Sequence, residues 1–261
     1  MIQQFKASLL NVQVYQSRVE MGAAAAELLK IKINELLSTQ SYINIIFAAA
    51  PSQNEFLAAL IKHEINWSRI NAFHMDEYVG LDATAPQGFG NFLNQRLFKL
   101  VPFHSVYLIN GNATSVLEEC TRYQNLLLEY PPDIVCMGIG ENGHLAFNDP
   151  PVADFNDPVG VKMVELEALC RQQQVNDGCF ETIDQVPTHA ITLTIPSLLK
   201  GRFIYCVVPG STKSAAVYNT LKQPIIEKFP STILRSHLEA ILFLDAQSAE
   251  NIGSLNTLNI A

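Results

Sequence analysis

The sequence predicts an α/β fold: an open, mostly parallel, Rossmann-like sheet covered by helices on both faces. Three observations carry that expectation. Short β-branched, apolar runs alternate with helical segments almost throughout, the pattern of right-handed strand–helix–strand units. Several runs, such as 43–50 and 202–208, are continuously apolar, as in strands buried on both faces. Ser52, Asp76, Gly138 to His144 and Ser211 to Lys213 each follow such a run directly. In an open parallel sheet those positions share the carboxyl edge, so they can converge.

The elements follow in order. Gln16 to Leu37 carries Gly22, a four-alanine run and leucines at helical spacing, which predicts a helix packed closely on its small-residue face. Ser41 to Ala50 reads as a buried strand, and Pro51-Ser52-Gln53-Asn54-Glu55 opens a helix with Ser52 and Glu55 as a capping box. Ile70 to Met75 is a strand ending in Asp76-Glu77-Tyr78, and Phe92 to Leu100 a helix. Val106 to Ile109 is a strand, Ser115 to Glu129 a helix and Asp133 to Met137 a strand. Residues 150–158 are too rich in proline and aspartate for regular structure. Val161 to Leu166 reads as a strand, Glu167 to Val175 as a short helix, and Ala190 to Ile195 as an alternating strand. Arg202 to Val208 is a strand leading through Gly210 to Lys213 into a helix, and Ala240 to Leu244 is the last strand. Residues 1–261 form one domain on this reading, with a lid around 150–187.

Composition narrows the partners. A net charge of −8 argues against nucleic acid and anionic membranes, so an anionic ligand must be held by a local site. The 5 cysteines are odd in number and lack C-x-x-C spacing, which points to reduced thiols in a cytoplasmic protein, with Cys136 and Cys206 as core residues. The start of the chain is no signal peptide, and no apolar run is long enough for a membrane span. A homo-oligomer is compatible with all of this.

Gly138-Ile139-Gly140-Glu141-Asn142-Gly143 spells the dinucleotide fingerprint, yet the chain continues His144-Leu145-Ala146-Phe147-Asn148-Asp149-Pro150-Pro151, which cannot be the helix that the fingerprint requires. The glycines instead allow backbone amides to approach a ligand closely. His144 could be structural, but Asn142 and Asp149 flank it, and a carboxylate holds an imidazole in one tautomer for proton transfer. Asp76 could merely cap a turn; as one of two adjacent acids at a strand end it is a candidate general base, with Glu77 pointing to the opposite face. Ser52 and Lys213 stand at helix starts, where capping is the ordinary role, and both on one edge suit a phosphate. The scattered histidines and cysteines give no metal-binding spacing, and no G-x-S-x-G elbow occurs.

Met75-Asp76-Glu77-Tyr78-Val79-Gly80-Leu81, Ile109 to Ala113, Gly138 to Asn148 and Gly210-Ser211-x-Lys213 occur in order, and together they resemble the glucosamine-6-phosphate deaminase/isomerase family, which shares its fold with the 6-phosphogluconolactonases. The resemblance implies an amino sugar 6-phosphate substrate and no cofactor or metal. It implies that His144 opens the sugar ring and that Asp76 carries a proton between C2 and C1, while Ser52, Lys213 and the backbone at Gly138 and Gly140 bind substrate. The chain departs from the family at Asn142, where an aspartate is usual, and at Asp149, where a glutamate is usual. Ala48-Ala49-Ala50 replaces a glycine-rich phosphate turn, and the usual phosphate-binding arginine aligns near Gly178, which leaves Arg171 as the expected substitute. Two alternatives remain at this point: a sugar-phosphate lactonase, and a sugar-phosphate sensor without turnover.

Overall fold

The computed structural model describes residues 1–253; the last part of the expected domain, 254–261, lies outside the described residues. The chain opens with an antiparallel hairpin, β1 (Gln3–Ala7) and β2 (Leu10–Tyr15), paired from Gln3↔Val14 to Ala7↔Leu10. The elements then run α1 (Arg18–Leu37), β3 (Ile43–Phe47), α2 (Asn54–Leu60), β4 (Ile70–His74), β5 (Asp76–Tyr78) and α3 (Phe89–Leu93). They continue as β6 (Ser105–Tyr107), α4 (Val116–Glu129), β7 (Ile134–Met137), β8 (Val161–Glu165) and α5 (Ala168–Asn176). The chain completes itself with β9 (His189–Leu193), α6 (Ile195–Leu199), β10 (Phe203–Val208), α7 (Ser214–Lys222) and β11 (Ala240–Asp245).

An 8-stranded sheet in the order β1-β2-β11-β10-β7-β3-β4-β6 forms the centre, and only β1 runs antiparallel to its neighbour. This is the expected open, mostly parallel sheet. Successive strands step outward in one direction from β3 to β4 and β6, and in the other from β7 to β10 and β11. The order therefore reverses between β3 and β7, and the crevice outside their carboxyl ends is where such sheets bind ligands. Register aligns the edge: Phe47 lies beside both His74 and Cys136, and Cys206 beside Met137.

The central strands are buried on both faces. Ile45, Phe47, Tyr205 and Phe243 belong to one apolar cluster with Leu29 and Ile33 of α1; Ile46, Val135, Cys206 and Leu242 belong to the other with Tyr123 of α4 and Val217 of α7. Gly22 explains the small-residue face of α1. A Cβ there would stand 2.8 Å from the Glu55 carbonyl carbon, so α1 and α2 touch backbone to backbone. Among the described residues no helix is long and apolar enough to cross a membrane.

Four local expectations differ from the structure. The Ser52–Glu55 capping box does not form, because the Glu55 carboxylate accepts from Arg18 at 3.0 and 3.1 Å instead. The predicted helix 92–100 begins at Phe89, where the Glu77 carboxylate accepts from the Phe89 and Gly90 amides, and it widens into a π-helix over Asn94–Phe98. The strand expected at 106–109 covers Ser105–Tyr107, since the Ile109 amide donates to the His74 ring. The strands around 161–166 and 190–195 leave the main sheet and join β5 in a separate antiparallel sheet, in the order β5-β9-β8.

Candidate active site

At the reversal point lies a cleft lined by residues from several strand ends, the place where open α/β sheets hold small ligands. The residues after β3, β4, β7 and β10 supply Ser52, Asp76, Gly138, Gly140, His144 and Lys213 to its walls. Separate strand ends thus meet as the carboxyl-edge argument expects.

The glycine-rich loop after β7 is a folded cradle for His144. The Gly140 amide donates to the His144 carbonyl, and the Gly143 amide to the Gly140 carbonyl, both at 3.0 Å. The imidazole packs on the backbone of Gly140, where a Cβ would come within 2.2 Å of the ring. Any side chain at 140 would expel the histidine. His144 Nδ1 meets Asp149 Oδ1 at 2.9 Å; Asn142 Nδ2 donates to the same oxygen at 2.8 Å, and Asn142 Oδ1 accepts from the His144 amide at 3.0 Å. Asn142 and Asp149 do not line the cleft; they act on it through the ring. Burial pushes the Asp149 carboxyl up, but the contacts from His144 and Asn142 outweigh it and hold the group below the usual carboxylate range. An ionised Asp149 fixes the proton on Nδ1 and leaves Nε2 as the basic nitrogen.

Cys170 sits beside this pair, and the ligand-capable atoms of His144, Asp149 and Cys170 lie within 4.8 Å of one another. His144 Nδ1 is spent on Asp149, and burial together with the Asp149 charge pushes the Cys170 thiol far up. The trio is therefore a hydrogen-bonded cluster around a neutral thiol, ill suited to a metal that needs thiolate.

Asp76 begins β5 and faces the cleft, while its neighbour Glu77 points away, as strand alternation requires. Glu77 accepts from the Tyr78, Phe89 and Gly90 amides at 2.8–3.0 Å and so anchors the start of α3. Asp76 is 7% exposed, and among the described residues its carboxylate accepts no hydrogen bond. Burial, and secondarily the charge of Glu77, raise its pKa well above the ordinary range. Ala146, which also lines the cleft, has φ = +50°, a conformation costing about 1–2 kcal/mol for an L-residue with a side chain.

At the other end Ser52 lies beside Gln53, whose amide donates to Ser52 Oγ and to the Val207 carbonyl at 3.1 Å each. Lys213 is buried, which pulls its pKa down, while the nearby Asp177 and Glu141 charges act in the opposite sense. Ser211 and Thr212 of the same turn are exposed and do not line the cleft. Arg171 does not reach the cleft either. Its guanidinium donates to the carbonyls of Ile183 at 2.6 Å and Val186 at 2.9 Å, tying α5 to the connection before β9. Gln53, Gln173, Gln174, Asp177 and Phe89 line the cleft without having been expected there. Polar residues on α5 were a usable signal, but which face of that short helix turns inward depends on the path of the second sheet.

Residues 16–163 match the family described as glucosamine-6-phosphate isomerases/6-phosphogluconolactonase. A protein of Bacillus cereus (strain B4264) named glucosamine-6-phosphate deaminase is 34% identical over 239 residues, which is 92% of this chain and 88% of that one. The protein of that name from Bacillus thuringiensis (strain Al Hakam) has the same identity and coverage. Among solved structures, a monomeric glucosamine-6-phosphate deaminase superposes with a TM-score of 0.84 at 28% identity, covering 92% of this chain and 98% of that one. A 6-phosphogluconolactonase from Thermotoga maritima reaches 0.73 at 18% identity, covering 90% and 99%, a likeness of fold. The chain therefore belongs to the glucosamine-6-phosphate isomerase/6-phosphogluconolactonase family.

Proposed function

We propose that the protein deaminates and isomerises an amino sugar 6-phosphate, glucosamine 6-phosphate or a close relative, giving a ketose 6-phosphate and ammonia. The observation that carries this reading is the pairing of Asp76 and His144 on one cleft: one carboxyl shifted to hold a proton, and one imidazole fixed by an ionised aspartate. His144 Nε2 moves the proton between the anomeric hydroxyl and the ring oxygen, which opens the pyranose. Ionised Asp76 takes the proton from C2 and returns it to C1, converting the amino aldehyde into a ketimine through an enolamine. Water then adds at C2 and ammonia leaves, so the overall reaction consumes one water. Each such proton transfer is worth about 10²–10⁴-fold.

Ser52 and Lys213 hold the phosphate and so orient the open chain over Asp76. The segment 150–187, which carries Gln173, Gln174 and Asp177 of the cleft wall, serves as a cover over the bound sugar. The identity of the deaminase relatives supports the deaminase over the lactonase reading, as does the unpartnered Asp76, which ester hydrolysis at His144 leaves without a task.

Ammonia release from a panel of amino sugar 6-phosphates, with 6-phosphogluconolactone hydrolysis as the control arm, tests the reading. We expect ammonia from at least one amino sugar phosphate and no lactone hydrolysis. Ammonia from none of them would reject it.

A further inference from the structure

With Arg171 spent on backbone carbonyls, the phosphate end of the cleft is left, among the described residues, with Lys213 as its cation. A second cleft opens directly off the first, sharing Ala49, Ala50, Phe89, Gln174 and Asp177 with it. Gly178 lies on its wall, and so does Arg96.

Arg96 is a placed side chain. Its Nε donates to Asn54 Oδ1 at 2.8 Å, and its guanidinium carbon lies 3.9 Å from the centre of the Phe92 ring. Asn54 follows Ser52 and Gln53 directly, so this bond ties the guanidinium to the turn that carries the Ser52 hydroxyl. One of the five guanidinium donors is used in this way. Among the described residues no carboxylate or carbonyl takes the terminal nitrogens. Arg96 also sits within the π-helical stretch Asn94–Phe98. A π-turn re-aims the side chains that it carries, and such turns are frequent at functional sites.

We propose that Arg96 is the second phosphate-binding cation of this site, supplying from the π-helix a charge that Arg171 does not bring to the cleft. The sugar phosphate then spans from Ser52 and Lys213 into the side cleft, where the planar fork of Arg96 meets two phosphate oxygens. Asp177 lines both clefts and tempers the positive field. This assignment rests on the sugar-phosphate reading of the ligand, but not on the deamination chemistry.

The test uses the full chain with inorganic phosphate as the probe, by titration calorimetry, and ammonia release as the second readout. Arg96→Gln keeps a donor for Asn54 while removing the charge and its stacking on Phe92; Arg96→Lys keeps the charge and removes the fork. Arg96→Gln should weaken inorganic phosphate binding and raise KM for the amino sugar phosphate by about 10- to 100-fold, with kcat within about threefold. Arg96→Lys should fall between that variant and the wild type. Phosphate affinity within twofold of wild type in folded Arg96→Gln overturns the proposal, as does a fall in kcat at unchanged KM. Phosphate binding lost in Arg96→Gln while the wild type deaminates nothing would refute the enzymatic reading and leave Arg96 in place. Deamination with KM and phosphate affinity indifferent to Arg96 would do the reverse.

Discussion

Asp76, at the start of β5, and Asp149, in the loop after β7, are both buried, 7% and 0% exposed; Asp76 lines the cleft and Asp149 holds a side chain that does. The two regions nevertheless treat a carboxyl group in opposite ways. The β7 loop wraps Asp149 in donors: His144 at 2.9 Å and Asn142 at 2.8 Å. The start of β5 gives Asp76 no donor among the described residues and places Glu77 next to it, with the Glu77 carboxylate committed to the start of α3. Burial alone raises a carboxyl pKa, whereas hydrogen bonds to the anion lower it. The difference in partners, not in depth, therefore holds Asp149 as an anion and favours the protonated form of Asp76. On the proposed reading, the loop with internal hydrogen bonds orients and the strand end without them exchanges a proton with substrate.

The largest effect should come from Asp76→Asn. We expect kcat to fall by about 10⁴-fold while inorganic phosphate affinity stays within twofold, measured by ammonia release and calorimetry. In the wild type the acid limb of kcat/KM should lie above the ordinary carboxylate range, near 4, because turnover requires Asp76 to ionise against its raised pKa. The same shift has a sign for stability. A raised folded-state pKa contributes stability at low pH that is lost as pH rises through that pKa. Asp76→Asn should therefore melt at or above the wild-type temperature at pH 8, with the gain shrinking towards pH 4.

Asp149→Asn should behave oppositely. Its depressed pKa contributes stability present above the unfolded value and lost as pH falls through the folded one. The variant should be less stable than wild type at pH 7, with the difference vanishing in acid, as read by thermal melts across pH. Activity should drop about 10²-fold, since His144 then loses the anion that fixes its tautomer. Melting differences of the same sign in the two aspartate variants at pH 8 would break the contrast between the regions.

The contrast was only partly legible in the sequence. Asn142, His144 and Asp149 lie within eight residues, and a loop that short must bring them together, so the orienting half could be read from spacing. Asp76 was legible as an acid at a strand end, but its isolation depends on β5 pairing with Thr192 of β9, far along the chain. The main sheet declared itself through continuous apolar runs, whereas the short β5 and the alternating β8 and β9 carried no mark of a separate antiparallel sheet. The opening hairpin had an alternation that could have been used: Leu10, Val12 and Val14 are buried, with Asn11 and Gln13 between them partly exposed. Arg171 was misplaced because helical spacing fixes a distance along α5, not the direction it faces; its partners are set by the connection at Ile183 and Val186. Arg96 left no trace for a similar reason, since a π-turn redirects it and the periodicity of 3.6 does not foresee one.

The smallest effect tests the amide of Asn142. Asn142→Asp removes the amide that donates to Asp149 and sets a second carboxylate in its place, at 2.8 Å in the present geometry. Two carboxylates so close cannot both stay ionised at low cost, so the Asp149 pKa must rise from its depressed position. The stability that Asp149 contributes near neutrality then declines at a higher pH than in the wild type. We expect a loss of about 1–3 kcal/mol at pH 7, or a few degrees in Tm, recovered as pH falls and the new pair shares a proton. A glutamate at 149 has a longer arm, which alters that spacing. Asn142→Asp with Asp149→Glu should therefore recover part of the loss. Full stability in Asn142→Asp alone would mean that the donor at 142 contributes nothing to holding Asp149 ionised, and the account of the β7 loop would need a different source for its anion.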